Sequence, residues 1–129
     1  MQLLLDTRVF IWAGAMVERL NLVARRAIED SANEVYVSSA VAWEIAIKYS
    51  VGKISLPAPP QSWVPARISA LGFKPLPITP EHALATLSLP KRHNDPFDRM
   101  LVAQAQLEGL TLVTHDRRIL AYAVHAMKA

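Results

Sequence analysis

Carboxylates are the residues of this 129-residue chain whose placement suggests chemistry. Asp6 ends the apolar run Gln2–Leu5, and Asp116 follows the apolar run Leu110–Thr114. Glu44 sits in SSAVAWEIAIK with Ala40, Val41 and Ile47 as its helical neighbours, and Asp98 lies one turn after Asp95 in DPFDRMLVAQA. In open parallel sheets, ligands gather outside the carboxyl ends of the strands, where the helices that follow those strands also begin. On that geometry Asp6, Glu44, Asp98 and Asp116 can converge on one pocket. Two carboxylates about 5 Å apart at an effective dielectric of about 20 repel by roughly 3 kcal/mol. Four together would take up protons or hold a divalent cation, and an all-oxygen donor set favours Mg²⁺ or Mn²⁺ over zinc. Thr7, Ser38 and Thr114 stand beside the strand ends, either to orient these ligands or to serve as ordinary caps and turn hydroxyls.

Each acid also has a plainer reading when taken singly. Asp95 and Asp98 flank Pro96 at the Ncap and N3 positions of a helix, an ordinary capping arrangement. Glu44 can pair with Lys48 at i+4, worth about 0.3–0.5 kcal/mol. Asp6 can cap the helix that follows it. Four such carboxylates at one sheet edge are harder to explain as unrelated caps and surface pairs.

The elements that must position them are legible in the pattern. Gln2–Leu5 and Leu110–Thr114 are apolar without alternation, as expected of strands buried on both faces. Glu34–Val37 predicts a further strand, running into Ser38 or Ser39 as the cap of a helix that reaches about Tyr49 and stops at Gly52. Leu20, Val23, Ala24, Ala27 and Ile28 recur at helical spacing with Asn21 as cap, opposite a charged face of Arg25, Arg26, Glu29 and Asp30. Seven of the 9 prolines fall between Pro57 and Pro80, so that stretch breaks into short pieces. These are a helix over Trp63–Leu71 ended by Gly72, an extended edge piece over Phe73–Ile78, and a helix begun by Thr79-Pro80. The DPFD segment opens a helix that runs to Leu107 and closes at Gly109. A short helix over Arg117–Tyr122 follows Asp116, and Val124 begins a last short strand. Strands alternating with helices imply an α/β layer fold with a parallel sheet.

Composition removes other possibilities. There is no cysteine, which excludes disulfide scaffolds, thiol nucleophiles and Cys-ligated zinc. The 4 glycines are scattered, so neither a P-loop nor a dinucleotide fingerprint exists. The histidines (His82, His93, His115 and His125) never show the close pairing of a zinc helix and read as surface or loop residues. No apolar run approaches the length of a membrane span, which suggests a soluble, cytoplasmic protein. At 129 residues with 52% hydrophobic content, one domain over 1–129 with a full core is expected. Net charge is +3, yet five of the 11 acids are the pocket candidates, and the other six face 14 Lys+Arg, leaving +8 on the rest of the body. An acidic pocket on a basic body suits a phosphodiester backbone. Arg8, Lys48, Lys53, Lys91, Arg92, Arg99, Arg117 and Arg118 are the candidate phosphate contacts.

Four segments together resemble the PIN-domain ribonucleases of the VapC type, the toxin half of toxin–antitoxin pairs. They are LLLDT at Leu3–Thr7, SSAVAWEIAIK at Ser38–Lys48 with Gly52-Lys53, HNDPFDRMLVAQA at His93–Ala105, and GLTLVTHD at Gly109–Asp116 with Ile119 and Tyr122. They span the chain in the family's order, and DPFDRMLVAQA is the most specific of them. The resemblance implies a PIN-like three-layer fold with a central, mainly parallel sheet flanked by helices. It implies Asp6, Glu44, Asp98 and Asp116 as a quartet binding Mg²⁺ or Mn²⁺, with Asp95 accessory or a cap. A homodimer and a cognate VapB-like antitoxin, whose C-terminal segment blocks the acidic cleft, are implied as well. One departure is Arg8, where the family often has His or Asn; a cation there either contacts RNA or perturbs the metal site.

The expected activity is metal-dependent endonucleolytic hydrolysis of RNA, with a metal-activated water attacking phosphorus in line. Two alternatives stay beside it. An aspartyl-phosphate phosphatase or receiver would use Asp6 as nucleophile, but Asp6-Thr7-Arg8 lacks a second aspartate two residues on. A non-catalytic PIN scaffold binding protein or RNA would keep the fold without the chemistry.

Overall fold

The computed structural model describes every residue except Arg92 and Ala123. Leu3, Leu4 and Leu5 are fully buried in strand β1 (Gln2–Leu5). Successive side chains of a strand point to opposite faces, so both faces of the sheet are covered at this point. Leu112 and Val113, also fully buried in β4 (Thr111–Thr114), repeat the pattern. The other strands are β2 (Glu34–Ser38), β3 (Lys74–Leu76) and β5 (Ala126–Lys128). The sheet order is β3-β2-β1-β4-β5, and every neighbouring pair is parallel. With helices packed over both faces, this is the three-layer α/β fold expected, with a sheet that is wholly parallel among the described residues.

Among the described residues six helices connect the strands: α1 (Thr7–Ala15), α2 (Leu22–Glu29), α3 (Ser39–Ser50), α4 (Pro60–Ala70), α5 (Pro80–Ala85) and α6 (Pro96–Glu108). Local capping chemistry sets their starts. The side chains of Asp6, Asn21, Ser38, Thr79 and Asp95 accept backbone N–H groups at the first turns of α1, α2, α3, α5 and α6. Gly109 ends α6 at φ 67°, a left-handed conformation that costs glycine little.

The helix expected after the Asp6 cap runs nine residues and inserts Val9, Phe10 and Ile11 into the core. There Phe10 meets the Trp63 ring edge-on at 5.8 Å. Helix α4 starts at Pro60 rather than Trp63, because proline at the first helical position needs no N–H partner. The helix expected over Arg117–Tyr122 shrinks to a single 3₁₀ turn, Ile119–Ala121, because Asp116 folds its own side chain back onto the Arg118 N–H at 2.8 Å. The last strand begins at Ala126 rather than Val124. Pro75 lies in β3, a sheet edge, where its missing N–H breaks no ladder. Among the described residues no helix is long and apolar enough to cross a membrane.

Candidate active site

From β1 the chain proceeds outward through β2 to β3, then returns across the sheet to place β4 on the other side of β1. That reversal opens a crevice past the carboxyl ends of β1 and β4, the usual ligand position in such sheets. The Leu5–Val113 register sets Asp6 and Thr114 side by side at the mouth. A cleft of about 850 Å³ opens there, and Asp6, Glu44, Asp95, Asp98 and Asp116 all line it. The four expected ligands therefore do meet in one cavity.

Each of them is held differently. Asp6 is 5% exposed; Oδ1 accepts the Val9 N–H at 2.8 Å, and Oδ2 accepts the Thr114 hydroxyl at 2.6 Å and the His115 N–H at 3.3 Å. Burial nonetheless pushes its carboxyl above the usual range. Glu44, equally buried, accepts the Thr7 hydroxyl on Oε1 and the Lys48 ammonium on Oε2. Both readings of Glu44 thus hold together: it is a cleft residue and it pairs with Lys48, whose pKa the carboxylate raises. Asp116 is chelated by Arg118, with Nη2 at 3.0 Å from Oδ2 and Nε at 3.2 Å from Oδ1, which keeps its carboxyl below the usual range.

Asp98, like Asp6, has no lysine or arginine paired with it among the described residues. Burial, then the charge of Asp95, push its carboxyl up to about 6, against the pull of a hydrogen bond from His93. Lys48 and Arg118 thus neutralise Glu44 and Asp116, while Asp6 and Asp98 are the two whose carboxyls are raised. Asp95 itself caps α6, accepting the Asp98 N–H at 2.9 Å, while also lining the cleft.

The histidines were expected at the surface or in loops; His82 is instead buried in a helix, and His93 lies in a loop but is buried. His82 is 2% exposed and closes the capping box of α5. His93 is 6% exposed, with Nε2 at 2.7 Å from Asp98 Oδ2 and 3.5 Å from Asp116 Oδ2. One atom each from His93, Asp98 and Asp116 lies within 4.8 Å of the others, the tightest set of metal-capable donors among the described residues. The signal for His93 lay in its position five residues before Asp98, in the turn leading into the cap of α6. A search for paired histidines passes over it.

The remaining predicted residues divide. Thr7 and Thr114 orient Glu44 and Asp6, and Thr114 Oγ also accepts the Asp116 N–H at 3.0 Å. Ser38, in contrast, is a helix cap, accepting the Ala40 N–H at 3.0 Å. Arg8, Lys48, Lys53 and Arg117 line the cleft. Arg99 does not belong with them. Its guanidinium donates to the carbonyls of Thr86, Leu89, Pro90 and His93 and to the Tyr122 hydroxyl, so its donors serve the loop before α6 rather than a phosphate. Arg92 lies outside the described residues.

Fold and site together define a parallel α/β protein with an acidic cleft at its switch point. Residues 3–124 match the family model for the PIN domain, and the chain belongs to that family. Ribonuclease VapC22 of Mycobacterium tuberculosis is 36% identical over 117 residues, spanning 90% of this chain and 88% of that protein. In fold, the chain is similar to VapBC2 from Rickettsia felis bound to a promoter DNA fragment (TM-score 0.75, 17% identity, 100% of this chain and 99% of that one). It is also similar to DNA-bound VapBC from Salmonella typhimurium (TM-score 0.70, 19% identity, 99% and 98%).

Proposed function

We propose that this PIN-domain chain, residues 1–129, is a metal-dependent endoribonuclease and the toxin component of a VapBC-type toxin–antitoxin pair. The observation that carries the reading is the gathering of Asp6, Glu44, Asp98 and Asp116 in one cleft whose wall also presents Arg8, Lys53 and Arg117. Similarity to a named ribonuclease over most of both chains supports it.

The donors fit a divalent cation. Asp98 is a carboxylate without a lysine or arginine partner among the described residues, and Asp116 offers oxygens to the same space. Asp6, Glu44, Asp98 and Asp116 hold Mg²⁺ or Mn²⁺, which when bound supplies Lewis-acid activation of water and of the phosphoryl oxygens. The rest is the work of the chain. Thr114 and the Val9 and His115 amides keep Asp6 aimed into the cleft, while Thr7 and Lys48 fix Glu44. Arg8, Lys53 and Arg117 take the phosphates flanking the scissile bond, which holds the strand across the acidic floor.

The same charges attract an arginine or lysine from the C-terminal segment of a cognate VapB-like antitoxin, which blocks the cleft. The protein works in the cytoplasm as a homodimer. RNA cleavage by the purified chain, with Mg²⁺ or Mn²⁺ and with chelator, tests the reading alongside Asp98→Asn. Cleavage lost on both chelation and substitution is expected. A fully active Asp98→Asn variant, or cleavage indifferent to chelator, would overturn it.

A further inference from the structure

Resting on the cation site just proposed, we infer that His93 is a direct nitrogen ligand in it, making the donor set mixed nitrogen–oxygen and biased toward Mn²⁺ over Mg²⁺. Donors about 2.1 Å from a six-coordinate ion and at right angles to each other stand about 3 Å apart. His93 Nε2 lies 2.7 Å from Asp98 Oδ2 and 3.5 Å from Asp116 Oδ2, separations that bracket this value. By contrast, neither Asp6 nor Glu44 belongs to the tight donor triangle. The imidazole is fixed in place from behind. Its ring is buried, and the His93 carbonyl accepts from the Tyr122 hydroxyl at 3.3 Å and from Arg99 at 3.5 Å. A buried ring held at its backbone and aimed at two carboxylates is preorganised to ligate.

Asp116 Oδ2 also accepts from Arg118 at 3.0 Å. That guanidinium is 66% exposed and can swing into solvent when a cation takes its place. Imidazole nitrogen raises affinity for Mn²⁺ more than for Mg²⁺, whose preference is for oxygen.

Pulsed EPR of the full chain loaded with Mn²⁺ tests this without reference to activity. The expected result is a hyperfine coupling from directly bound ¹⁴N. It should convert to the ¹⁵N pattern when the protein is grown on [¹⁵N]histidine, vanish in His93→Gln and persist in His115→Gln. Calorimetry should show His93→Gln losing about tenfold in Mn²⁺ affinity and under about threefold in Mg²⁺ affinity. If His93→Gln does not fold, the ¹⁵N conversion in the parent and its survival in His115→Gln and His125→Gln decide, since both ring nitrogens of His82 are already engaged. Mn²⁺ bound with no nitrogen coupling overturns the inference and leaves the carboxylate site standing, with His93 only orienting Asp98. Failure to bind Mn²⁺ at all overturns this inference together with the cation site.

Discussion

Replacing Asp98 by Asn should stabilise the metal-free protein while abolishing its response to metal. The folded protein holds the Asp98 carboxyl at about 6 against an ordinary value of 3.8, chiefly through burial and the charge of Asp95. A carboxyl whose pKa is raised on folding binds its proton more tightly in the native state. The metal-free parent therefore gains stability as pH falls from about 7 to about 4, and above pH 6 it carries the full cost of an ionised Asp98. A shift of about two units corresponds to at most about 3 kcal/mol. Partial exposure screens part of this, leaving about 1–2 kcal/mol. The Asn side chain is of the same size, and its oxygen can still accept from His93 Nε2, so the substitution removes the charge and little else. Scanning calorimetry with chelator at pH 7.5 should show Asp98→Asn melting about 3–8 °C above the parent, and the gap should close at pH 4. With Mn²⁺ well above its dissociation constant the order reverses, because only the parent gains binding free energy. Destabilisation of Asp98→Asn at pH 7.5 in chelator, or an equal rise of both melting points on adding Mn²⁺, would refute the reasoning.

Other residues should respond in distinct ways. Arg118→Ala removes the guanidinium that chelates Asp116, so Mn²⁺ affinity should rise several-fold by calorimetry; weaker binding would show that Arg118 supports the site. Thr114→Val leaves Asp6 Oδ2 and the Asp116 amide without their shared hydroxyl, and urea denaturation should record a loss of about 1–3 kcal/mol with a fall in metal affinity. Arg99→Lys cannot span the carbonyls of Thr86, Leu89, Pro90 and His93; it should lower stability by about 1–3 kcal/mol while the salt dependence of RNA binding stays put. Arg8→Ala should do the opposite, sparing stability and reducing the salt slope by about one phosphate contact.

What could be read without the structure was local. Unbroken apolar runs marked β1 and β4 as doubly buried, and Asn21, Thr79 and Asp95 announced their helices, because caps and strand periodicity act within a few residues. The i+4 pair of Glu44 and Lys48 was legible for the same reason. The four acids could be named and placed at one sheet edge, since strand ends and helix starts share it in any parallel α/β fold. Which groups fix Asp6 and Glu44 in the cleft could not be read, because the hydroxyls that do so are distant in the chain. Thr7 reaches Glu44 across 37 residues, and Thr114 reaches Asp6 across 108. Those contacts exist only once β4 pairs with β1 in the Leu5–Val113 register. Arg99 and His93 make the same point within one short stretch of sequence. Composition makes each a polar residue near a motif, but packing of the loop before α6 turns the guanidinium onto backbone carbonyls and the imidazole onto Asp98. A side chain's type fixes what it can bind, and only the tertiary structure, by setting what is buried and how far away its partners lie, decides what it does bind.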